Sequence, residues 1–186
     1  CFPMEDNLTE AAPRRVSAIV TSFNNAAALR RCLTALEAST AREAMEVLVV
    51  DRGSSDGCPD MDTEFPSVNL LRLPRNFGRV KALNIGMRTG TGEFYLFLEP
   101  EMEVAPDAVE RLAAALDAAP EAAAACPLAV DAAGTVLTRR HPLPLPAELR
   151  KAWPAGELDG WETPPAEGTA ATDLDYFKPP AVMVRS

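Results

Sequence analysis

Apolar positions along this chain follow two periods in turn. Residues 15 to 22, Arg15-Val16-Ser17-Ala18-Ile19-Val20-Thr21-Ser22, form a nearly continuous apolar, β-branched run, the pattern of a strand covered on both faces. Leu29, Cys32, Leu33 and Leu36 then recur at helical spacing between Ala26 and Glu37, which predicts a helix. The alternation continues with a strand over about 46 to 50, a third strand over Val68 to Leu73, and a helix that carries Val80, Leu83, Asn84 and Met87. Phe94-Tyr95-Leu96-Phe97-Leu98 is a further strand. Pro106-Asp107 opens an alanine-rich helix to about Ala118, with Val109, Leu112 and Leu116 on one face. Short strands are expected near 123 to 130 and 134 to 138, and Ala181 to Arg185 reads as a last strand. Between them, from His141 to Pro180, prolines are frequent and periodicity is lost, so this stretch is an ordered meander or a mobile loop rather than another domain. Strands alternating with helices predict an α/β fold: a parallel or mixed sheet with helices on both faces and right-handed crossovers.

A chain of 186 residues supports one domain with a substantial core. Three segments are expected: an N-terminal extension over 1–14, a core over 15–140, and the proline-rich meander with its final strand over 141–186. A formal charge of −9, from 18 Lys plus Arg against 27 Asp plus Glu, argues against a nucleic-acid partner, since no overall positive field attracts phosphates. An anionic ligand then needs a local basic patch or a metal. The four cysteines, Cys1, Cys32, Cys58 and Cys126, show no C-x-x-C spacing, and reduced thiols in a cytoplasmic protein are the simplest account. No apolar run approaches the roughly 18 residues that cross a bilayer, and the start lacks the charged-then-apolar order of a signal peptide. The absence of an initiator Met suggests a piece of a longer polypeptide, with further domains as partners.

Candidate chemistry gathers after three predicted strand ends: Thr21-Ser22-Phe23-Asn24, Asp51 to Gly57, and Glu99 to Glu103. Ligands of open α/β sheets sit at the carboxyl ends of strands, where such segments can converge. In the second, Ser54, Ser55, Asp56 and Gly57 supply side-chain oxygens and permissive backbone, which also suit an ordinary strand-to-helix turn. Arg72, Arg75, Arg79, Lys81 and Arg88 form a cationic run with no acid between them, beside a helix start at Asn76-Phe77-Gly78. Such a run suits a diphosphate, through its charge and the exposed helix N–H groups; a solvated helix face is the alternative, and the preferred one for Arg88.

Taken in order, these motifs resemble the N-terminal donor-binding part of family-2 glycosyltransferases of GT-A fold, especially a bacterial rhamnosyltransferase-like branch. The resemblance rests on Val20-Thr21-Ser22-Phe23-Asn24 (family V-T-Y-N) and Val50-Asp51-Arg52-Gly53-Ser54-Ser55-Asp56-Gly57 (family V-D-N-G-S-S-D-G). It continues in Asn76-Phe77-Gly78 with Ala82, Asn84 and Gly86, and in Leu98-Glu99-Pro100-Glu101 (family L-N-P-D or L-D-x-D). It covers about residues 15 to 140 and implies a three-layer α/β/α sandwich on a mostly parallel central sheet.

The resemblance further implies transfer of a sugar from a UDP- or dTDP-sugar to the hydroxyl of a glycan, lipid-linked or protein acceptor. Thr21, Phe23, Asn24, Asp51, Ser54, Ser55 and Asp56 would line the nucleoside pocket, with Asp51 accepting from the base's imide N–H, and Arg79 and Lys81 would face the diphosphate. Glu99 and Glu101 fall at the family's metal motif, where Mg²⁺ or Mn²⁺ would bridge carboxylate and diphosphate. A family enzyme acts in the cytoplasm or at the inner face of a membrane, and its transfer is inverting, driven by a carboxylate base. No residue here is assigned that base: the chain stops at Ser186, before the region where the family carries it, and Asp173, Asp175 and His141 read as loop residues.

The departures are specific. The acidic pair is Glu-x-Glu, one methylene longer at each position, and Arg52 replaces the turn's Asn, where it can either pair with Asp51 or reach a phosphate. Pro179 replaces the glycine of the family's W-x-x-G-A segment, and Trp153 and Trp161 either pack the tail or form a sugar platform. A degenerate GT-A module that acts as a scaffold is the competing function. A nucleotidyltransferase-like fold is the third reading, although Thr21 to Asn25 is not its glycine-rich phosphate loop.

Overall fold

The computed structural model describes residues 14–130 and 181–186. In chain order its main elements are β1 (Val16–Ser22), α1 (Ala26–Glu37), β2 (Met45–Asp51), α2 (Met61–Glu64), β3 (Val68–Arg72), α3 (Arg79–Thr89), β4 (Phe94–Leu98), α4 (Ala108–Ala118), β5 (Ala124–Ala125) and β6 (Ala181–Arg185). The strands form one six-stranded sheet in the order β3-β2-β1-β4-β6-β5. The first four are mutually parallel, whereas β6 runs antiparallel to both β4 and β5. This is the mixed, mostly parallel α/β sheet expected from the alternating periods.

Every residue of β1 and β2 is buried, which is why both read as continuous apolar runs. Val16, Ala18 and Val20 of β1, with Val47 and Val49 of β2, face a core closed by Leu29, Cys32, Leu33 and Leu36 of α1 and by Val109, Ala113 and Leu116 of α4. Each of these leucines, fully buried, contributes about 1.5–3 kcal/mol relative to exposure. Burial also pushes the Cys32 thiol up to about 12, with Glu101 and Glu103 adding to the shift, so it packs as a small apolar group. Cys32, Cys58 and Cys126 are all free thiols.

The opposite face is covered by α3, and here the structure departs from the expected helix face. Val80 is 72% exposed and Met87 and Asn84 are also exposed; the residues turned to the sheet are Ala82 and Gly86. A small-residue stripe lets the helix lie close on β1: a Cβ on Gly86 would stand 2.5 Å from Cγ2 of the buried Ile19. Gly86→Ala should therefore cost about 1–2 kcal/mol, the overpacking penalty outweighing the gain in helix propensity. A lower urea midpoint at unchanged m-value would show it.

The crossover order fixes the functional edge. From β1 the chain moves to β2 and β3 on one side, and then returns over the sheet through α3 to β4 on the other. The reversal falls between β1 and β4, and a ligand of such a sheet enters at the carboxyl ends of these strands. The strand expected at 134 to 138, the meander from His141 to Pro180, and Trp153, Trp161, Asp173, Asp175 and Pro179 lie outside the described residues.

Candidate functional site

The three strand-end motifs meet at this edge, and hydrogen bonds join them. At the end of β2, Asp51 is 1% exposed. Its Oδ1 accepts from Ser22 Oγ at 3.1 Å and from Ser54 Oγ, and its Oδ2 accepts from the Ser54 N–H at 3.0 Å. Ser22 is the last residue of β1 and lies opposite Asp51 in register. The carboxylate thus ties the β1 end to the β2 turn, with three of about four acceptor directions taken.

The β1 end is built around Asn24, which adopts positive φ (52°), a conformation that asparagine tolerates better than most residues. Its N–H donates to Ser54 Oγ at 3.0 Å, and its Oδ1 accepts from the Ser55 N–H at 2.8 Å. Gly53 has φ +79°, and a Cβ there would stand 2.7 Å from the Arg75 backbone, so only glycine lets the turn pass beneath the β3–α3 loop. Asp56 reaches across to α1: its Oδ2 accepts from the Ala26 N–H at 2.8 Å and its Oδ1 from the Cys58 N–H at 3.0 Å. Burial pushes this carboxyl up, but the two backbone N–H groups outweigh it and hold the group below its ordinary value. Asn25 supplies no side-chain cap to α1, so Asp56 does it from another loop. Asp56→Ala should cost about 1 kcal/mol by loss of that cap, read as a lower melting temperature. Because the folded carboxyl is depressed, this contribution is present at neutral pH and fades as the pH falls through the lowered value.

Thr21 is buried beside Ser22, whereas Phe23 is 36% exposed at the mouth. Arg52 does not pair with Asp51: its guanidinium carbon stands 5.4 Å from the Phe23 ring centroid, and its Nε donates to the Ser22 carbonyl at 3.3 Å. This stacked pair, arginine on aromatic, is a feature that motif comparison did not reveal.

The cationic run divides. Arg72 is drawn to Asp62 by two contacts of 2.8 and 2.7 Å, and Arg88 sits in the last turn of α3, at the far end of the helix. Arg75 and Lys81 both lie against Phe77, 4.8 and 4.5 Å from its ring centroid. Arg79, the first residue of α3, forms an ion pair with Glu99 beyond the end of β4. Three of the five cations therefore remain around the helix start.

The remaining acids have partners of their own. Glu101 accepts from Asn25 Nδ2 at 3.4 Å, and Glu103 pairs with Arg31 at 2.9 Å. Among the described residues, no three His, Cys, Asp or Glu side chains gather into a group that could hold a metal ion. A nucleotide-bound Mg²⁺ needs only one or two carboxylates besides phosphate oxygens. Yet the Arg79 guanidinium already lies on Glu99, and as placed this donor set does not fit a divalent cation.

With that geometry in view, comparison with known proteins is decisive for the family. The sequence pattern of glycosyl transferase family 2 matches residues 17–165. The chain belongs to that family. Succinoglycan biosynthesis protein ExoO of Rhizobium meliloti (strain 1021) is 33% identical over 108 residues, covering 56% of this chain and 30% of that protein. Among solved structures, the mannosyltransferase PcManGT from Pyrobaculum calidifontis, in complex with GDP-Man and Mn²⁺, is 28% identical with a TM-score of 0.53, covering 63% of this chain and 36% of that one. S. aureus TarS 1-349 in complex with UDP-GlcNAc shares the fold at 24% identity and a TM-score of 0.53, covering 56% of this chain and 31% of its own. The family-2 chain spans about a third of the length of the curated relatives it matches. No helix among its described residues is long and apolar enough to cross a membrane.

Proposed function

We infer that this chain binds a nucleotide-diphospho-sugar along the carboxyl edge of β1, β2 and β4, and supplies the donor-binding half of transfer to an acceptor hydroxyl. The observation that carries this reading is the convergence of all three strand-end motifs and the α3 cations on one edge, joined through Ser22–Asp51, Asn25–Glu101 and Arg79–Glu99. The base would lie against Thr21, Phe23 and Asp51, and the diphosphate against the start of α3 at Arg79 and Lys81. A UDP- or dTDP-sugar is the proposed donor class, because Asp51 can accept from the imide N–H of uracil or thymine. The solved relatives named above are complexes with nucleotide-sugars, UDP-GlcNAc in one and GDP-Man in the other, which supports a nucleotide-sugar donor. A carboxylate base for the acceptor is assigned to no described residue, and a Mg²⁺ or Mn²⁺ ion held by Glu99 and Glu101 would require Glu99 to leave Arg79 first.

A second reading, a degenerate module that serves as a scaffold, is favoured by one observation: Asp51 is almost wholly enclosed by its own turn. Isothermal titration of UDP and dTDP separates the two. Binding in the ~1 μM–1 mM range usual for enzyme substrates supports the donor site. Absence of binding to either nucleotide, with and without Mn²⁺, leaves the scaffold.

A further inference from the structure

In solved relatives of this fold a divalent cation can accompany the nucleotide, as with the GDP-Man and Mn²⁺ of PcManGT. Here Glu99, at the end of β4 where the family resemblance implies a metal, already carries a cation supplied by the chain itself. We propose that the Arg79 guanidinium stands in the place of that metal ion, so that a nucleoside diphosphate binds this site without a divalent cation, displacing Glu99 from Arg79 as it enters. This rests on the donor-site reading above.

Four observations lead to it. Arg79 opens α3, an eleven-residue helix whose first N–H groups have no partner within the helix, so its side chain and the helix end present positive charge at the same place. A guanidinium matches phosphate oxygens with two parallel donors, a geometry that lysine cannot provide. Arg75 and Lys81 are held against Phe77 beside it, which concentrates cations at one point of an otherwise acidic chain. The acids that a metal would recruit are committed elsewhere: Glu101 to Asn25, Glu103 to Arg31, Asp56 to the start of α1, and Asp51 to Ser22 and Ser54.

The pair is also placed to exchange. The side chains of Arg79 and Glu99 are 46% and 31% exposed, so solvent screens the contact and a diphosphate of higher charge can replace the carboxylate. In this arrangement Glu99 competes with the ligand instead of assisting it. A metal site makes the opposite demand on the same residue.

The test is titration of UDP, with uridine as the probe lacking phosphates, into the whole chain in EDTA and again in Mn²⁺. Wild type, Arg79→Ala, Arg79→Lys and Glu99→Gln are compared, with thermal melts to confirm that each variant is folded. The expected result is UDP binding in EDTA that Mn²⁺ changes by less than about twofold, and weakening by about tenfold or more in Arg79→Ala. Uridine binding should be unchanged in that variant, Arg79→Lys should recover only part of the loss, and Glu99→Gln should bind UDP as tightly as wild type or tighter. UDP binding that requires Mn²⁺ and is lost in Glu99→Gln overturns the proposal and restores the metal, leaving the donor site intact. Unchanged UDP affinity in folded Arg79→Ala overturns it as well. Absence of binding by UDP and uridine in both buffers removes the donor reading itself, and the proposal with it.

Discussion

Glu46→Ala should destabilise the fold by about 2–4 kcal/mol, the scale expected when several hydrogen bonds to one buried charged group are lost together. Glu46 lies in β2 between Met45 and Val47 and is 5% exposed. Its Oε1 accepts from Ser17 Oγ at 2.5 Å, from the Thr91 N–H at 2.6 Å and from Thr91 Oγ1 at 3.0 Å, while Oε2 meets Arg14 at 3.2 Å. Ser17 in turn accepts from the Gly92 N–H at 2.8 Å. One carboxylate therefore ties β1, β2 and the α3–β4 connection together at the end of the sheet opposite the site. Removing it leaves a buried hydroxyl and a backbone N–H without their acceptor. Burial pushes the Glu46 carboxyl up, but its hydrogen bonds to Ser17, Thr91 and Arg14 outweigh burial and hold it below its ordinary value. A depressed folded value means that the ionised group stabilises at neutral pH and that this contribution is lost as the pH falls through the depressed value. The stability gap between wild type and Glu46→Gln should be largest near neutrality and shrink on acidification, as read by urea melts across the acid range. A gap that does not change with pH would sink the assignment.

The signal for Glu46 was present in the sequence, since a lone acid inside an apolar strand has to find partners, but its partners are 29 and 45 residues away in the chain and no local pattern names them. By contrast, α1 appears over Ala26–Glu37 as its periodicity predicts, because Leu29, Cys32, Leu33 and Leu36 all face one core. The start of α3 was equally legible from Asn76-Phe77-Gly78, yet its buried face was not. Ala82 and Gly86 carry little hydrophobic weight, so a count of apolar residues selects Val80 and Met87, which are exposed. Close helix-to-sheet approach is a demand of the tertiary fold, and it reverses the ranking.

The site was legible to the same degree. Motif order placed three strand ends on one edge, and the sheet brings them there. What the motifs could not convey is how each side chain spends its hydrogen bonds: Asp56 on a helix cap, Arg52 on Phe23 and a carbonyl, Arg79 on Glu99. These are contacts across 30, 29 and 20 residues of chain respectively, decided by where the sheet sets each loop.

Substitution at Asp51, to Asn or to Ala, is expected to weaken the proposed donor site strongly. Asp51 has two duties in this reading: it holds the turn through Ser22 and Ser54, and it offers its remaining acceptor direction to the imide N–H of a pyrimidine base. The amide is nearly isosteric and keeps a carbonyl oxygen for the Ser54 N–H, so the turn is largely preserved. What it loses is the negative charge: with the carbonyl oxygen in the place of Oδ2, which holds the remaining acceptor direction, the base meets a neutral acceptor, while the NH₂ takes the place of Oδ1 and faces the Ser22 and Ser54 hydroxyls. Exchanging a charged acceptor for a neutral one, a difference of about 1–1.5 kcal/mol, should weaken UDP binding by roughly tenfold. Asp51→Ala should weaken it at least as much and also lower the melting temperature, because the buried Ser22 hydroxyl and the half-buried Ser54 donors then lose their acceptor. The separation between the two variants is the decisive reading. If Asp51→Asn retains both wild-type stability and wild-type affinity for UDP, the carboxylate serves the turn alone, and the base must be recognised by Thr21 and the exposed Phe23 ring instead.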